Sequence, residues 1–300
     1  MRIILEEQGL RDGIQNLDIV LSTDQKLRFI DRLIDAGIKR LQIASFVHPK
    51  IVPQMADAEA LIQQLTPIEG VQYSGLVLNV KGVERAIDSG IRNVACSISS
   101  SNTHSEKNTG MDLITAQAQS LQMIEMAQRE DIHVRAGLQC VFGCRYEGKI
   151  SEAVVLDMID KYIGAGVQEL SLADSTGMAN PSQLHDLVAH IVEKAKGIPV
   201  ILHLHNTEGK GLANVVAGIR AGVRIFDTAV GGLGGCPFIE NASGNIATED
   251  TAHMLHQMGY DTGLDVKKMS MIAQDMEAVI GESLQGKMYK LLNNDSLRVI

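Results

Sequence analysis

The sequence predicts an α/β chain folded as a closed (β/α)8 TIM barrel with additional C-terminal helices. Three observations carry that expectation: a fourfold internal repeat, four strand-like apolar runs between the repeat copies, and amphipathic helical stretches that separate them. The copies are "DAGIKRLQIAS" (35–45), "DSGIRNVACSI" (88–98), "GAGVQELSLAD" (164–174) and "RAGVRIFDTAV" (220–230). Each sets a small residue and a glycine at a helix end, then Ile or Val, two mostly polar residues and a short apolar run. Glycine just past a helix accepts the left-handed backbone that stops it. The apolar run then reads as a buried parallel strand.

Taken in order, strand 1 is "RIILEEQ" (2–8) and strand 2 closes the first copy. Strand 3 is "QYSGLVLN" (72–79), strand 4 closes the second copy, and strand 5 is "HVRAGLQC" (133–140). Strand 6 closes the third copy, strand 7 is "PVILHLHN" (199–206), and strand 8 closes the fourth. Helical patterns such as "TDQKLRFIDRLIDAG" and "ITAQAQSLQMIEMAQRED" lie between them. Eight strands alternating with helices over about 230 residues suit a closed barrel. The rival is an open doubly wound sheet. Its dinucleotide fingerprint is missing, because "GGLGG" lacks the downstream ribose-binding acid and the βαβ context. Residues 1–300 are read as one domain, with the barrel over about 2–262 and a helical tail over 263–300. The tail stretch "MSMIAQDMEAVI" has the apolar spacing of a packed helix that covers the barrel or meets a second subunit.

Composition narrows the function classes. Apolar residues make up 45% and charged residues 21%, which supports a sizeable core and argues against disorder. A formal net charge of −9, with no Lys/Arg-rich run, argues against a nucleic-acid surface. No apolar run is long enough to span a membrane, and the acidic residues soon after Met1 do not suit a signal peptide. Cys96, Cys140, Cys144 and Cys236 are scattered and do not read as a disulfide framework. A cytoplasmic address is expected, with a small molecule as partner and a homodimer or higher homo-oligomer as assembly.

In a barrel, catalytic groups belong at the C-terminal ends of the strands. The exits read "RDGIQN" after strand 1, "SFVHPK" after strand 2, "NVKG" after strand 3 and "VFGCRYEGK" after strand 5. The later ones are "DSTG" after strand 6, "HLHN" at strand 7 and "GGLGGCPFIENASGN" after strand 8. In "HLHN", His203 and His205 lie two apart, so an extended chain points both rings the same way. They are either two core histidines or half of a metal site. Strands 1, 7 and 8 are neighbours in a closed barrel, which brings Asp12 close, with Asn241 and Asn245 as amide oxygen donors. Two imidazoles, a carboxylate and an amide oxygen suit Mg²⁺, Mn²⁺ or a related divalent ion with open positions. Asp12 otherwise reads as a turn residue and Asn245 as a helix cap.

Together, "GLRDGIQN", "SFVHPKIVPQMAD", "YEGKIS", "HLHNTEGKGLAN" and "GGLGGCPFIENASGNIATED" resemble the hydroxymethylglutaryl-CoA lyases, over about residues 3–265. The resemblance implies a TIM-barrel metallolyase that cleaves 3-hydroxy-3-methylglutaryl-CoA to acetyl-CoA and acetoacetate with a divalent metal, Mg²⁺ or Mn²⁺. It implies Asp12, His203, His205 and Asn245 as ligands, Arg11 as the catalytic arginine and Cys236 as a mobile-loop cysteine. Such chemistry must deprotonate a tertiary hydroxyl, stabilise a thioester enolate and protonate its carbon. Arg11 suits the enolate oxygen, and Cys236 suits proton delivery or gating. Gln15, Ser45, Asn79 and Ser171 are candidates for the substrate shell. Asp174 is a candidate base, alongside a metal-bound histidine.

One position departs from the family pattern. The family carries a glutamate near the end of strand 2, in a stretch like "IETTSF", where this chain has Gln42 in "LQIASF". Gln42 occupies a catalytic position but cannot act as a carboxylate. Leu10, where relatives read "PRDG", is a milder change. Two alternatives therefore stand beside the lyase: an acetyl-CoA-dependent condensing acyltransferase of the isopropylmalate or homocitrate synthase type, and a catalytically impaired metal-binding relative.

Overall fold

In the computed structural model the described residues are 1–236 and 239–291, and the side chains of 235–243 lie outside the description. Eight strands hydrogen-bond in sequence order and close into a barrel. They are β1 (Ile4–Glu7), β2 (Arg40–Ser45), β3 (Gln72–Val77), β4 (Asn93–Ser99), β5 (His133–Gln139), β6 (Glu169–Asp174), β7 (Val200–Leu204) and β8 (Ile225–Thr228). Every pairing is parallel, including the closing β1–β8 pair, which aligns Glu7 with Thr228. Seven strands fall within the segments read from the sequence, and β4 runs one residue past its segment, to Ser99.

The helices begin and end for local reasons. Helix Thr23–Asp35 opens on a capping box, in which Ser22 and Gln25 satisfy each other's backbone N–H. Helix Pro181–Lys194 starts with proline at its first position behind an Asn180 cap. The four repeat glycines, Gly37, Gly90, Gly166 and Gly222, all have φ between +71° and +105°, the left-handed stop that the repeat implied.

Alternation along the strands divides the core into two. On β7, Leu202 faces outward against helix Gly211–Arg220, where a side-chain carbon on Gly218 would lie 2.5 Å from it. His203 faces inward and lines a cavity at the C-terminal mouth. The barrel interior is not filled by branched apolar residues in the common way. Glu6, Arg40, Arg135, Glu169 and Asp227 form a buried ionic layer instead. Arg40 forks onto Glu169 (2.7 and 2.8 Å) and reaches Glu6 (2.7 Å). Arg135 donates to Glu6, to Glu169 (3.2 Å) and to Asp227 (3.2 Å).

The tail, described as far as Leu291, covers the exit of β8. Gly286 donates to the Gly231 carbonyl (2.7 Å), and Leu284 packs onto Gly231. Among the described residues no helix is long and apolar enough to cross a membrane.

Candidate active site

Three strand exits build the site. After β1 the chain makes one wide helical turn, Gly9–Gly13, closed by a bond from Gly13 N–H to the Gln8 carbonyl (3.1 Å). That turn presents Arg11 and Asp12. At the end of β7, His205 pairs antiparallel with Asn245, and Ile246 donates to the Leu204 carbonyl (3.2 Å). Backbone pairing thus carries a residue forty positions away to the second histidine. Glu7 locks these exits together: it accepts from the N–H groups of Gly9 and Val230 (2.8 Å each) and from the Thr248 hydroxyl (2.6 Å).

Asp12, His203 and His205 each offer one ligand atom, and these atoms lie within 4.8 Å of one another. The two Nε2 atoms are 3.1 Å apart, and each lies 3.8 Å from Asp12 Oδ2. Adjacent ligands of an octahedral cation at about 2.1 Å sit about 3 Å apart, so the cluster is close to ligating geometry. Its protonation also suits a cation. Burial raises Asp12, but Arg11 and both imidazoles outweigh that and hold it well below the ordinary carboxylate value. Burial lowers His205, which favours the neutral ring that ligates. Behind the cluster, His203 Nδ1 lies 3.3 Å from Asp227 Oδ2, the carboxylate–histidine pairing that orients metal ligands. Asn245 directs Nδ2 to Asp12 Oδ2 (2.7 Å) and to the Leu233 carbonyl (3.0 Å), while its buried Oδ1 has no described partner. Ligation through that oxygen requires the amide to turn.

Arg11 is nearly buried, and its guanidinium is held at three points: Nε to Gln42, Nη1 to Asp12 and Nη2 to Gln8 (2.9 Å). A guanidinium has five N–H donors, so one remains on each Nη. Gln42 therefore positions Arg11 through a neutral oxygen. Gln15 donates to Asp12 Oδ1 (2.8 Å) and fixes the other carboxylate oxygen.

Arg11, Asp12, Gln15, Gln42, Ser171, His203 and His205 all line the cavity. Four other sequence candidates do not, and of these Asn245 reaches the cluster only through Asp12, as described above. Asp174 points to the opposite side of β6 from Ser171 and accepts the Ala179 N–H with both oxygens (3.2 Å each). Burial pushes it up to about 6, and its contact is with the loop after β6. Asn79 is exposed and caps helix Val80–Ser89 by accepting from Gly82 N–H (2.8 Å). Ser45 is buried at the end of β2, past a register irregularity between Gln42 and Ala44, outside the cavity wall. The side chains of Cys236 and Asn241 lie outside the described residues.

Sequence reasoning missed the exit of β4. His104 and Asn108, one helical turn apart on helix Asn102–Thr109, both line the cavity. Burial lowers His104, so its ring is neutral near pH 7. Arg135 and Asp227, which form part of the cavity floor, were missed as well.

Comparison with known proteins agrees with this geometry. A family model described as HMGL-like matches residues 2–276. The hydroxymethylglutaryl-CoA lyase YngG of Bacillus subtilis is 35% identical over 286 residues, covering 95% of this chain and 96% of the relative. The human mitochondrial hydroxymethylglutaryl-CoA lyase is 35% identical over 268 residues, covering 89% and 82%. Among solved structures, an HMG-CoA lyase from Acinetobacter baumannii in complex with coenzyme A and 3-methylmalate superposes with a TM-score of 0.93 at 35% identity, covering 100% and 98%.

Proposed function

The chain belongs to the HMGL-like family, and from that premise we propose that it is a carbon–carbon lyase that cleaves 3-hydroxy-3-methylglutaryl-CoA, or a close 3-hydroxyacyl-CoA relative, to acetyl-CoA and a keto product, acetoacetate for the parent substrate. The observation that carries this reading is the Asp12, His203 and His205 cluster beside the two uncommitted N–H donors of Arg11, at one cavity mouth. Asp12, His203 and His205 would hold a divalent cation, Mg²⁺ or Mn²⁺, with Asn245 as the fourth group. When bound, that ion supplies Lewis acidity toward the substrate's tertiary hydroxyl.

The remaining work falls to the chain's own residues. The bond between C2 and C3 breaks as the hydroxyl loses its proton and C3 becomes a ketone. The electron pair passes to C2 as the thioester enolate, which takes up a proton to give acetyl-CoA. Arg11, pinned by Gln42, Gln8 and Asp12, directs its spare N–H pair at the thioester oxygen where that charge develops. Neutral His104 provides a proton acceptor on the β4 side of the cavity. Cys236 is assigned to proton delivery on the family resemblance.

The buried thiols of Cys96, Cys140 and Cys144 suit a reducing compartment such as the cytoplasm. We read 1–300 as one domain that assembles as a homo-oligomer. The test is release of acetyl-CoA from 3-hydroxy-3-methylglutaryl-CoA by purified protein with Mg²⁺ or Mn²⁺, abolished by chelator. Condensation of acetyl-CoA with a 2-oxo acid, and no cleavage of any 3-hydroxyacyl-CoA, would overturn the reading.

A further inference from the structure

Across the cavity from Asp12, three residues lie side by side on adjacent strands. Ser97 on β4 is in register with Gly137 on β5, which is in register with Ser171 on β6. All three line the cavity. Gly137 is not there for its backbone, because its φ lies outside the left-handed region. A glycine in a strand interior weakens the strand and commonly marks the close approach of a ligand. A side-chain carbon on Gly137 would sit 3.1 Å from Ser97 Oγ, so it would take up the space beside that hydroxyl. Ser97 Oγ accepts from Gln139 Nε2 (3.2 Å), which leaves its own O–H to donate. Ser171 is 8% exposed, and its hydroxyl makes no hydrogen bond to any described residue. A hydroxyl that opens on a cavity with no protein partner is free to pair with a ligand.

We infer that Ser97, Gly137 and Ser171 form a hydroxyl-lined notch that receives an oxygen-bearing branch at C3 of the substrate acyl group, in the position that 3-hydroxy-3-methylglutaryl-CoA fills with a methyl. The inference rests on the lyase reading above and specifies its substrate class: 3-hydroxyacyl-CoA esters whose C3 branch carries a hydroxyl or carboxylate oxygen. A methyl leaves the Ser97 O–H donor and the Ser171 hydroxyl without a partner from the ligand. An oxygen-bearing branch pairs them, and the missing side chain at position 137 gives it room.

The test compares three CoA esters: 3-hydroxy-3-methylglutaryl, its analogue with hydroxymethyl at C3, and its analogue with ethyl at C3. Acetyl-CoA release is followed for each with Mn²⁺. The wild-type kcat/KM for the hydroxymethyl ester should exceed that for the size-matched ethyl ester about tenfold, the range of one or two net hydrogen bonds. Ser171→Ala should bring that ratio toward one. Gly137→Ala should lower the hydroxymethyl ester relative to the methyl ester. A wild-type ratio at or below one, or a ratio unmoved by Ser171→Ala, overturns the notch and leaves the lyase standing. Failure of all three esters to release acetyl-CoA overturns the lyase reading itself.

Discussion

Asp227→Asn separates orientation of the metal site from simple structural support. Asp227 is buried between two groups: Oδ1 accepts from Arg135 (3.2 Å), and Oδ2 faces His203 Nδ1 (3.3 Å). Burial raises its pKa, but Arg135 and His203 outweigh that and hold it below the ordinary value, so it is the charged form that orients the ring. The amide keeps the shape and removes the charge. Loss of such an orienting partner costs about 10–100-fold in metal affinity, or roughly 1.4–2.7 kcal/mol. Stability should fall less than the roughly 3–5 kcal/mol of a wholly orphaned buried charge, because Arg135 keeps Glu6 and Glu169. Calorimetric titration of the metal-stripped protein with Mn²⁺ measures the first term, and urea unfolding of the same sample measures the second. The reasoning is refuted if the Mn²⁺ Kd stays within twofold of wild type while stability drops, which would make Asp227 a strut for Arg135 alone.

Arg11→Lys retains the charge but loses the planar fork, so kcat should fall by about 10²–10³ with a smaller change in KM; equal loss in both would mean that Arg11 only binds. Glu249 is buried, with one oxygen on Gly231 N–H (3.0 Å) and the other without a described partner, and burial pushes it up to about 8 from 4.5. The folded protein therefore holds this proton more tightly than the unfolded chain, and the stability it contributes is present below about pH 4.5 and lost as pH rises toward 8. Glu249→Gln should flatten that decline, so its stability relative to wild type should rise by on the order of 4 kcal/mol between pH 5 and 9 in urea unfolding; parallel curves would contradict the assignment. Gln42→Glu adds a negative charge beside Arg11 and should tighten Mn²⁺ binding about tenfold; an unchanged Kd would show that position 42 lies outside the field of the cluster.

How much of this was legible depended on whether a signal was periodic. The barrel was, because each repeat glycine requires a left-handed backbone and each strand is a short apolar run between such stops. His203 and His205 were, because two residues along a strand is one full alternation. Asp174 misled for the same reason: it lies three positions from Ser171, so the two side chains leave β6 on opposite faces, and a strand end alone does not say which face is inward. Asn79 carried the competing signal of a polar residue directly before a helix, and capping won. His104 and Asn108 sit in "SSSNTHSEKN", which reads as a polar loop until a helix puts residues four apart on one side. The ionic layer left a trace too, since Glu6, Arg40, Arg135, Glu169 and Asp227 each place a charge within a strand expected to be apolar.

That layer and Gln42 belong to one electrostatic argument. Around the cavity and its floor, the described ionised groups are the carboxylates of Glu6, Asp12, Glu169 and Asp227 and the guanidiniums of Arg11, Arg40 and Arg135. The set is one net negative charge, and a divalent cation would take it to one net positive. With a carboxylate at position 42, as in the family pattern, the loaded site would be neutral instead. Gln42 thus leaves this chain's loaded site one charge more attractive to an anionic acyl group, at low dielectric where that difference is not screened away. The hydroxyl-lined notch and the neutral glutamine point the same way: both favour an acyl head richer in oxygen than the methyl-branched parent. The departure at position 42 is better understood as a change in which acyl group is held than as a loss of the means to cleave it, since Gln42 still holds Arg11 together with Asp12 and Gln8.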